Sequence, residues 1–293
     1  MPDRAVINVG IVGYGLVGRA VASRLTAQAG IDVTTFENSD ERRSLAVEDG
    51  TALAGDIDDL LSESDLVLIC VRTGSQALDL LAHLSRSQFV PHVVLGLMTT
   101  LTPAEEQQAN AMRRAGLRLG VIPVSGTSGQ IQAGDALVIY DVESSEALEP
   151  YLAVIEEAIG RSLNVGSQPA SVAKLALNLV VEGNRAVLAE GFRFASLGGI
   201  RAATFLSLVA SSTAASSVAI SKGPKFVSRD FGPESRLAQS LKDVQAMLTF
   251  ADNAGQVLPV TRAVGALLED AVADGFADDD SSAVLLSLEG RPA

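Results

Sequence analysis

The chain has 293 residues, of which 47% are hydrophobic and 19% are charged, a composition typical of folded globular proteins. The length suits two domains, each large enough to bury a core of its own. An excess of 35 acidic over 22 basic residues gives a formal charge of −13, which disfavours nucleic acid and anionic membrane surfaces as partners.

The cysteine content and the start of the chain favour a cytoplasmic location. Cys70 is the single cysteine and lies in the apolar run Leu66–Val71, so no internal disulfide can form and a core position is expected. The start, Met1 to Arg4, leads into a strand without the apolar stretch of a signal peptide. Charged or amide residues interrupt every apolar stretch before the roughly 20 residues of a spanning helix, so no membrane partner is predicted.

The first part of the chain alternates short β-rich runs with helical segments, the pattern of βαβ units and a parallel sheet. The predicted strands are Val6–Val12, Ile31–Glu37, Leu66–Val71, Val93–Met98, Arg118–Pro123 and Ala136–Tyr140. The predicted helices run from the first strand to about Ala29, over Asp40–Asp49, near Gln76–Leu84, and from the N-cap Thr102 with Pro103 at the first helical position.

After Gly166 the sequence is rich in Ala, Ser and Leu, and no strand is predicted. A helix from about Pro169 to Ser196 would span roughly 40 Å, longer than a small domain needs. Its apolar faces predict a partner subunit. The run Ala202–Ser221 is predicted to form a helix followed by a loop.

The strongest local motif follows the first strand and opens a helix: Gly13-Tyr14-Gly15-Leu16-Val17-Gly18. The first glycine permits a tight turn, the second lets the backbone approach a pyrophosphate, and the third lets the helix pack closely on the strand. The helix N-terminus adds free N–H groups and positive potential. The predicted fold is therefore an α/β Rossmann domain with a doubly wound, mainly parallel sheet (residues 1–165), followed by an all-α domain (residues 166–293).

Glu37 ends the second predicted strand, 19 residues beyond Gly18. A carboxylate at this position accepts hydrogen bonds from the adenosine ribose and repels a 2′-phosphate, which favours NAD over NADP. Arg42 and Arg43 follow directly and offer an alternative, because they could pair with that phosphate. Otherwise both arginines lie on a solvated helix start.

Lys174 and Asn178 interrupt the otherwise apolar helix predicted over Ala170–Val181. Their spacing of four places both on one helix face. Burying an ammonium group is costly unless it is used, so the pattern points to function. A lysine that reaches out to solvent at a helix start is the structural alternative.

Together these motifs resemble the β-hydroxyacid dehydrogenase family, which includes 3-hydroxyisobutyrate dehydrogenase, tartronate semialdehyde reductase and 6-phosphogluconate dehydrogenase. The resemblance covers nearly the whole chain and implies a homodimer or homotetramer with interlocked helical domains. Besides the glycine motif and the Lys174/Asn178 pair, it rests on Pro123–Gly129 with Gly134, Asp230–Pro233, Leu241–Asp243 and Ala254–Pro259.

The resemblance implies hydride transfer between NAD(P) and a small 3-hydroxy acid or the corresponding semialdehyde, with Lys174 as general base in oxidation and general acid in reduction. Asn178 would hold substrate oxygens. The segment with Ser125, Gly126 and Thr127 would bind the substrate carboxylate, although Thr127 replaces a family glycine. Lys242 would close the site, unless it only pairs with its neighbour Asp243 on the helix surface.

The resemblance also places two loops near the cofactor. Val71 ends the third predicted strand and Arg72 follows it, where the family's usual proline is absent. Thr99 and Thr100 follow the fourth, near the nicotinamide and the substrate. Leu177 replaces the first asparagine of a pair found in many relatives.

Other polar residues carry weaker predictions. His83 and His92 are the only histidines and belong to no ligand set, so no metal site is predicted. The acidic stretch Glu269–Asp280 lacks the spacing of a calcium loop and is predicted to be a solvated helix end and turn. One basic cluster has two interpretations, recognition of a second substrate anion or plain surface charge: Lys222, Lys225 and Arg229.

Two rival functions stay open. Imine reductases share this architecture but usually lack the catalytic lysine, so Lys174 argues against them. A regulator that senses NAD(P) without turnover is the second rival. In such a protein the Lys174/Asn178 pair would have no kinetic role.

Overall fold

The computed structural model describes residues 6–88 and 92–290, so the predicted start from Met1 to Arg4 lies outside the described residues. The chain divides into two compact units between Lys174 and Leu175. The sequence places a domain boundary after residue 165, before the long helix, whereas the contacts divide the chain within that helix.

The first unit is built on a sheet of six parallel strands in the order β3-β2-β1-β4-β5-β6. They are β1 (Ile7–Val12), β2 (Ile31–Phe36), β3 (Ala52–Leu53), β4 (Leu66–Ile69), β5 (Val94–Leu97) and β6 (Leu119–Val121). The chain passes from β3 at one edge to β4 on the other side of β1, which makes a topological switch point between β1 and β4. The predicted doubly wound fold is confirmed.

Both faces of this sheet are covered. Leu66 and Leu68 of β4 belong to one core and Val67 and Ile69 to the other, so all four residues are buried. A continuous apolar run of this kind is typical of a parallel strand with helices on both sides. The helices of the first unit are α1 (Leu16–Thr26), α2 (Asp40–Glu48), α3 (Ile57–Glu63), α4 (Gly74–Leu84), α5 (Pro103–Arg114), α6 (Ser128–Ala133), α7 (Val142–Leu148) and α8 (Leu152–Ile159).

A second, three-stranded sheet completes the first unit. It consists of β7 (Val124–Ser125), β8 (Ala136–Tyr140) and β9 (Gly160–Asn164), with β7 antiparallel and β9 parallel to β8. The strand predicted over Ala136–Tyr140 is present, but it belongs to this smaller sheet. The sequence does not reveal β9, because most of its residues are exposed and lack an apolar alternation.

The second unit is helical. Its helices are α9 (Ala170–Leu197), which starts in the first unit, α10 (Ala202–Ala210), α11 (Ser217–Ser228), α12 (Leu237–Asn253), α13 (Pro259–Ala273) and α14 (Val284–Gly290). The helix and loop predicted for Ala202–Ser221 continue into α11, whose N-cap Ser216 accepts a hydrogen bond from the Ala219 N–H. No helix among residues 6–88 and 92–290 has the length and apolarity needed to cross a membrane.

A buried ion pair fixes the start of α12. The Lys222 ammonium lies 2.8 Å from the Asp280 carboxylate, and the two residues are 1% and 0% exposed. Asp280 also accepts the N–H groups of Glu234 and Ser235, just before α12. Burial alone would raise the pKa of Asp280, but the Lys222 charge and hydrogen bonds from Lys222 and Ser282 lower it to about 2.

These contacts correct two predictions. Lys222 is neither surface charge nor available to a substrate anion, because it is buried against Asp280. In the same cluster, Arg229 pairs with Glu289, and Lys225 donates to the Gly232 carbonyl. The stretch Glu269–Asp280 is likewise not wholly solvated, since its last residue has no exposed surface.

Replacing Asp280 by Asn should destabilise the protein by about 3 kcal/mol at pH 7, because it removes the buried counter-charge of Lys222 and leaves the ammonium with the partly exposed Glu234 carboxylate, 3.2 Å away. Urea unfolding measures the change. Asp252→Asn is the control: it breaks an exposed pair with Arg262 and should cost less than about 1 kcal/mol. Equal effects of the two substitutions would contradict the assignment.

The Lys222–Asp280 pair also predicts that the free energy of unfolding decreases at acid pH. The pKa of Asp280 falls from its ordinary value of 3.8 to about 2 in the folded protein. Its contribution is therefore present above about pH 4 and is lost as the pH falls towards 2. Asp280→Asn should remove this part of the acid dependence.

Candidate functional site

The glycine motif forms a tight turn between β1 and α1. Gly13 has a φ of +96°, and a Cβ on it would lie 2.7 Å from the Cys70 carbonyl oxygen. A Cβ on Gly18 would lie 1.9 Å from the Gly13 carbonyl oxygen. A Cβ on Gly15, in contrast, would meet no protein atom within 4 Å. Packing inside the protein therefore requires the first and third glycines, whereas the space beside the second is open and can admit an external group.

The start of α1 suits a phosphate group. Its N-cap is Gly15, no side chain caps it, and its first turn carries no acidic residue. The N–H groups of that turn and the positive end of the helix dipole attract an anion. Together with the open face at Gly15, this arrangement fits the diphosphate of a dinucleotide.

The Tyr14 side chain anchors the turn from inside. It is 2% exposed, and its hydroxyl donates to Asp49 at 2.9 Å and lies 3.0 Å from the Thr51 hydroxyl. Asp49 also accepts two hydrogen bonds from Arg19 on α1. Burial raises the pKa of Tyr14. The side chain of this predicted cofactor residue therefore supports the turn from the protein core.

Glu37 joins the same turn to the end of β2. Its carboxylate accepts the N–H groups of Tyr14, Asn38 and Ser39, each at 2.8 Å, and two from Arg42 at 2.9 and 3.1 Å. Burial would raise its pKa, but hydrogen bonds from Arg42, Ser39 and Tyr14 lower it to about 2. Ribose hydroxyls would have to compete with these five donors, so the predicted ribose contact stays a prediction.

The two arginines after β2 differ in their partners. Arg42 forms the ion pair with Glu37 and so offsets the charge that would repel a 2′-phosphate. Arg43 donates to the Glu37 backbone carbonyl at 3.1 Å and forms no ion pair within the described part of the chain. Of these two arginines, Arg42 has a carboxylate partner and Arg43 has only the backbone carbonyl within the described residues.

Thr99 and Val71, two further residues predicted to lie near the cofactor, connect two loops of the first unit. The Thr99 hydroxyl donates to the Val71 carbonyl at 2.9 Å and is largely buried. This bond joins the loop after β4 to the loop after β5, at the carboxyl edge of the sheet beside the glycine turn. Arg72 is exposed in the first loop.

The segment expected to bind a carboxylate lies at the end of β7. Gly126 has a φ of +148°, and a Cβ there would lie 2.8 Å from the Ala136 Cβ. Thr127 is the N-cap of α6: its hydroxyl accepts the Gln130 N–H, and the Gln130 side chain accepts the Thr127 N–H. The threonine that departs from the family pattern thus caps a helix. The carboxylate contacts of Ser125, Gly126 and Thr127 stay predictions.

Lys174 lies one turn into α9 and is 6% exposed, unlike a lysine that reaches out to solvent. The preceding turn is fastened by Glu106 of α5, which accepts hydrogen bonds from the hydroxyl and the N–H of Ser171. Burial raises the pKa of Glu106. A carboxylate at a helix N-terminus is favourable. The sequence gives no sign of this contact, because its partners are 65 positions apart.

Asn178 and Lys242 share one partner, the buried carboxylate of Asp243. The Asn178 amide donates to it at 2.8 Å, and the Lys242 ammonium lies 3.5 Å away. Lys242 therefore does pair with its neighbour, but that neighbour is only 6% exposed. The sequence predicts Asp243 only as a surface partner of Lys242. It does not reveal that Asp243 is buried and accepts a hydrogen bond from Asn178.

Within residues 6–88 and 92–290, no cluster of three or more His, Cys, Asp and Glu side chains is arranged to hold a metal ion. His83 is exposed at the end of α4, and His92 is exposed before β5.

Two family models together match most of the chain. The model described as the NAD binding domain of 6-phosphogluconate dehydrogenase matches residues 8–165. The model described as NAD-binding of NADP-dependent 3-hydroxyisobutyrate dehydrogenase matches residues 169–288. The chain belongs to the β-hydroxyacid dehydrogenase family. Members of this family bind NAD(P), and the glycine turn is the part of this chain that fits the dinucleotide.

Curated relatives of this family member are distant. The cytokine-like nuclear factor N-PAC of Gallus gallus is 24% identical over 94% of this chain and 50% of its own length. The chloroplastic glyoxylate/succinic semialdehyde reductase 2 of Arabidopsis thaliana is 22% identical over 98% of this chain and 81% of its own. The chain thus spans about half the length of the N-PAC proteins it matches.

Solved structures share the fold of this dehydrogenase-family chain. The 3-hydroxyisobutyrate dehydrogenase of Salmonella typhimurium has a TM-score of 0.81 at 20% identity, covering 96% of this chain and 99% of its own. The Mycobacterium tuberculosis 3-hydroxyisobutyrate dehydrogenase with L-serine also scores 0.81 at 20% identity, covering 97% and 100%. An imine reductase from Pseudomonas sp. scores 0.63 at 20% identity, covering 96% and 99%.

Two glycine substitutions should separate the roles within the turn. Gly15→Ala should leave stability nearly unchanged, because its backbone is extended and the added Cβ meets no protein atom. It should weaken NADH binding about tenfold or more, equivalent to about 1.4 kcal/mol. Gly18→Ala should instead destabilise the fold by about 3 kcal/mol through overpacking. Fluorescence titration and thermal unfolding measure the two effects, and unchanged NADH affinity in Gly15→Ala would contradict the site.

Proposed function

We propose that this chain is an NAD(P)-dependent oxidoreductase that acts on a small 3-hydroxy acid or the corresponding semialdehyde, with Lys174 as general acid and base. The observation that carries the proposal is the buried lysine one turn before Asn178 on α9. A lysine held in a fixed, buried position can exchange a proton with a bound substrate, and the start of its helix is fixed by the buried Glu106.

The proposed roles follow from the chemistry of each group. When bound, the nicotinamide accepts or supplies the hydride. Lys174 Nζ takes the hydroxyl proton in oxidation and returns it to the carbonyl oxygen in reduction. Asn178 holds substrate oxygens, and Lys242 adds positive charge. Ser125 and the Gly126 amide bind the substrate carboxylate.

The names of similar proteins support the substrate class. One relative is named a glyoxylate/succinic semialdehyde reductase, and both of these compounds pair an aldehyde with a carboxylate. One solved relative, a 3-hydroxyisobutyrate dehydrogenase, is described with L-serine, which carries a carboxylate and a hydroxyl on its third carbon. A small acid with oxygen at or near that carbon is the substrate class proposed for this chain.

Replacing Lys174 by Ala should lower turnover by about 100-fold to 10,000-fold, the range for loss of a general acid or base. The affinity for NADH should stay within about twofold, since the lysine acts on the substrate. Steady-state kinetics with a panel of 3-hydroxy acids and semialdehydes, and NADH titration, measure the two effects. Unchanged turnover would overturn the assignment of Lys174.

A non-catalytic function is the second candidate. It is favoured by the N-PAC relatives, which are named as nuclear factors. A sensor of this kind would bind NAD(P), but no acid or semialdehyde would turn over in the wild-type protein. Imine reduction is less favoured, because imine reductases usually lack the catalytic lysine, whereas this chain has Lys174. The predicted cytoplasmic location stays a prediction, since the relatives include a nuclear factor and a chloroplast enzyme.

The cofactor site favours acceptance of NADP as well as NAD. The prediction of NAD depends on repulsion between Glu37 and a 2′-phosphate, and Arg42 offsets that charge. Arg43, on α2, donates to the Glu37 backbone carbonyl just after β2, and we propose that it also contacts a 2′-phosphate. A guanidinium and a phosphate form a strong, charge-assisted contact.

Arg43→Ala should therefore weaken NADPH binding about tenfold while NADH affinity changes less than about twofold. Isothermal titration with each dinucleotide measures the difference. Arg86→Ala, at an exposed arginine after α4, is the control and should change neither affinity. Equal loss for NADH and NADPH would refute a 2′-phosphate contact at Arg43.

We also propose a homodimer or homotetramer that uses α9. Val180, Val187 and Phe194 recur every seven residues on this helix and are 57%, 66% and 78% exposed. Residues seven apart lie on one helix face, so they form an apolar stripe. A stripe of large exposed apolar side chains is typical of a subunit interface.

Phe194→Glu should convert the oligomer to a monomer, because it places a charge in that stripe. Multi-angle light scattering after gel filtration measures the mass. Val47→Glu is the control, since Val47 is 64% exposed on α2 of the first unit. A monomeric wild-type protein, or an unchanged mass in Phe194→Glu, would contradict this part of the proposal.

A further inference from the structure

Asp243 is a buried carboxylate that the proposed chemistry does not use. It lies on α12 and is 6% exposed. The donors beside it include these three: Asn178 Nδ2 at 2.8 Å, Gln239 Nε2 at 3.3 Å and Lys242 Nζ at 3.5 Å. Two of these three are residues expected to bind substrate.

The bond to Asn178 connects two helices. Asn178 is on α9 and Asp243 on α12, 65 positions apart in sequence. Gln239 lies four residues before Asp243 on the same helix, so it steadies the carboxylate locally. Lys242 provides the balancing positive charge. A buried carboxylate with several donors and a cation is a stable acceptor.

An ionised carboxylate accepts hydrogen bonds and donates none, so it sets the orientation of the Asn178 amide. The NH₂ group must face Asp243, and the carbonyl oxygen Oδ1 must therefore point the other way. A neutral partner such as another amide would impose no such order, because it presents both a donor and an acceptor. The direction of the Asn178 donor and acceptor groups thus depends on the charge of Asp243.

We propose that Asp243 is a positioning residue, which acts on substrate recognition through Asn178. By fixing the amide, it determines which substrate oxygens Asn178 can hold and so contributes to KM rather than to proton transfer at Lys174. This inference rests on the proposed function, in which Asn178 binds substrate oxygens.

The test uses Asp243→Asn in the full chain, alone and combined with Asn178→Ala. The single variant keeps the shape of the side chain but no longer enforces the amide orientation. It should raise KM for the acid or semialdehyde about tenfold, the effect of losing a hydrogen bond to a charged group. The kcat should change by less than about threefold, and NADH affinity should not change.

The double variant decides whether Asp243 acts through Asn178. In the Asn178→Ala background, Asp243→Asn should raise KM by less than about twofold, because the amide it orients is gone. If Asp243→Asn raises KM by the same factor with and without Asn178→Ala, the inference is overturned. It is also overturned if Asp243→Asn lowers the melting temperature but leaves KM unchanged. Asp252→Asn, an exposed aspartate on the same helix, is the matched control and should leave KM unchanged.

A second measurement is independent of turnover. In protein labelled with ¹⁵N-asparagine, the resonances lost in Asn178→Ala identify its side-chain amide. We expect these signals to shift and to exchange faster with solvent in Asp243→Asn. Absence of any shift would overturn the contact itself. If wild-type protein turns over no acid or semialdehyde, the proposed function fails, and the amide signals still report on the Asp243 contact separately.

Discussion

The hydrogen bond from the Tyr14 N–H to Glu37 ties the glycine turn to the end of β2, and the cofactor face depends on it. The same carboxylate receives the first backbone N–H groups after β2 and the Arg42 guanidinium. Below the turn, the Tyr14 hydroxyl reaches Asp49. The turn is therefore held from the side and from beneath, so its backbone is already shaped before a dinucleotide arrives. Such preorganisation lowers the ordering cost of binding.

The helical unit follows one electrostatic rule, that each buried charge has a partner of opposite charge or a set of donors. Lys222 meets Asp280, and Arg185 meets Glu182 and Ser240. Asp243 follows the same rule, but its donors come from residues expected to bind substrate. The ion pairs of Lys222 and Arg185 and the contacts of Asp243 are thus of the same chemical kind. Of these residues, only Asp243 has neighbours that are expected to bind substrate.

Much of the fold could be predicted from the sequence, because periodicity and turn chemistry are local signals. The glycine turn, the strands with continuous apolar runs and the long helix α9 all follow from neighbouring residues. The capping box of Thr102 and Glu105 is present as that local pattern predicts. The contacts of Glu106 with Ser171, of Asp243 with Asn178 and of Asp280 with Lys222 could not be predicted in this way, because the two residues of each pair lie 58 to 65 positions apart.

The buried Tyr14 also makes intrinsic tyrosine fluorescence a useful probe of this protein. The chain contains no tryptophan and three tyrosines, so tyrosine emission is not masked by a stronger fluorophore. One of the three lies directly under the glycine turn, with its hydroxyl bonded to a carboxylate. A rearrangement of the turn that changes the surroundings of this ring should therefore alter the tyrosine emission, which can be followed without an attached dye.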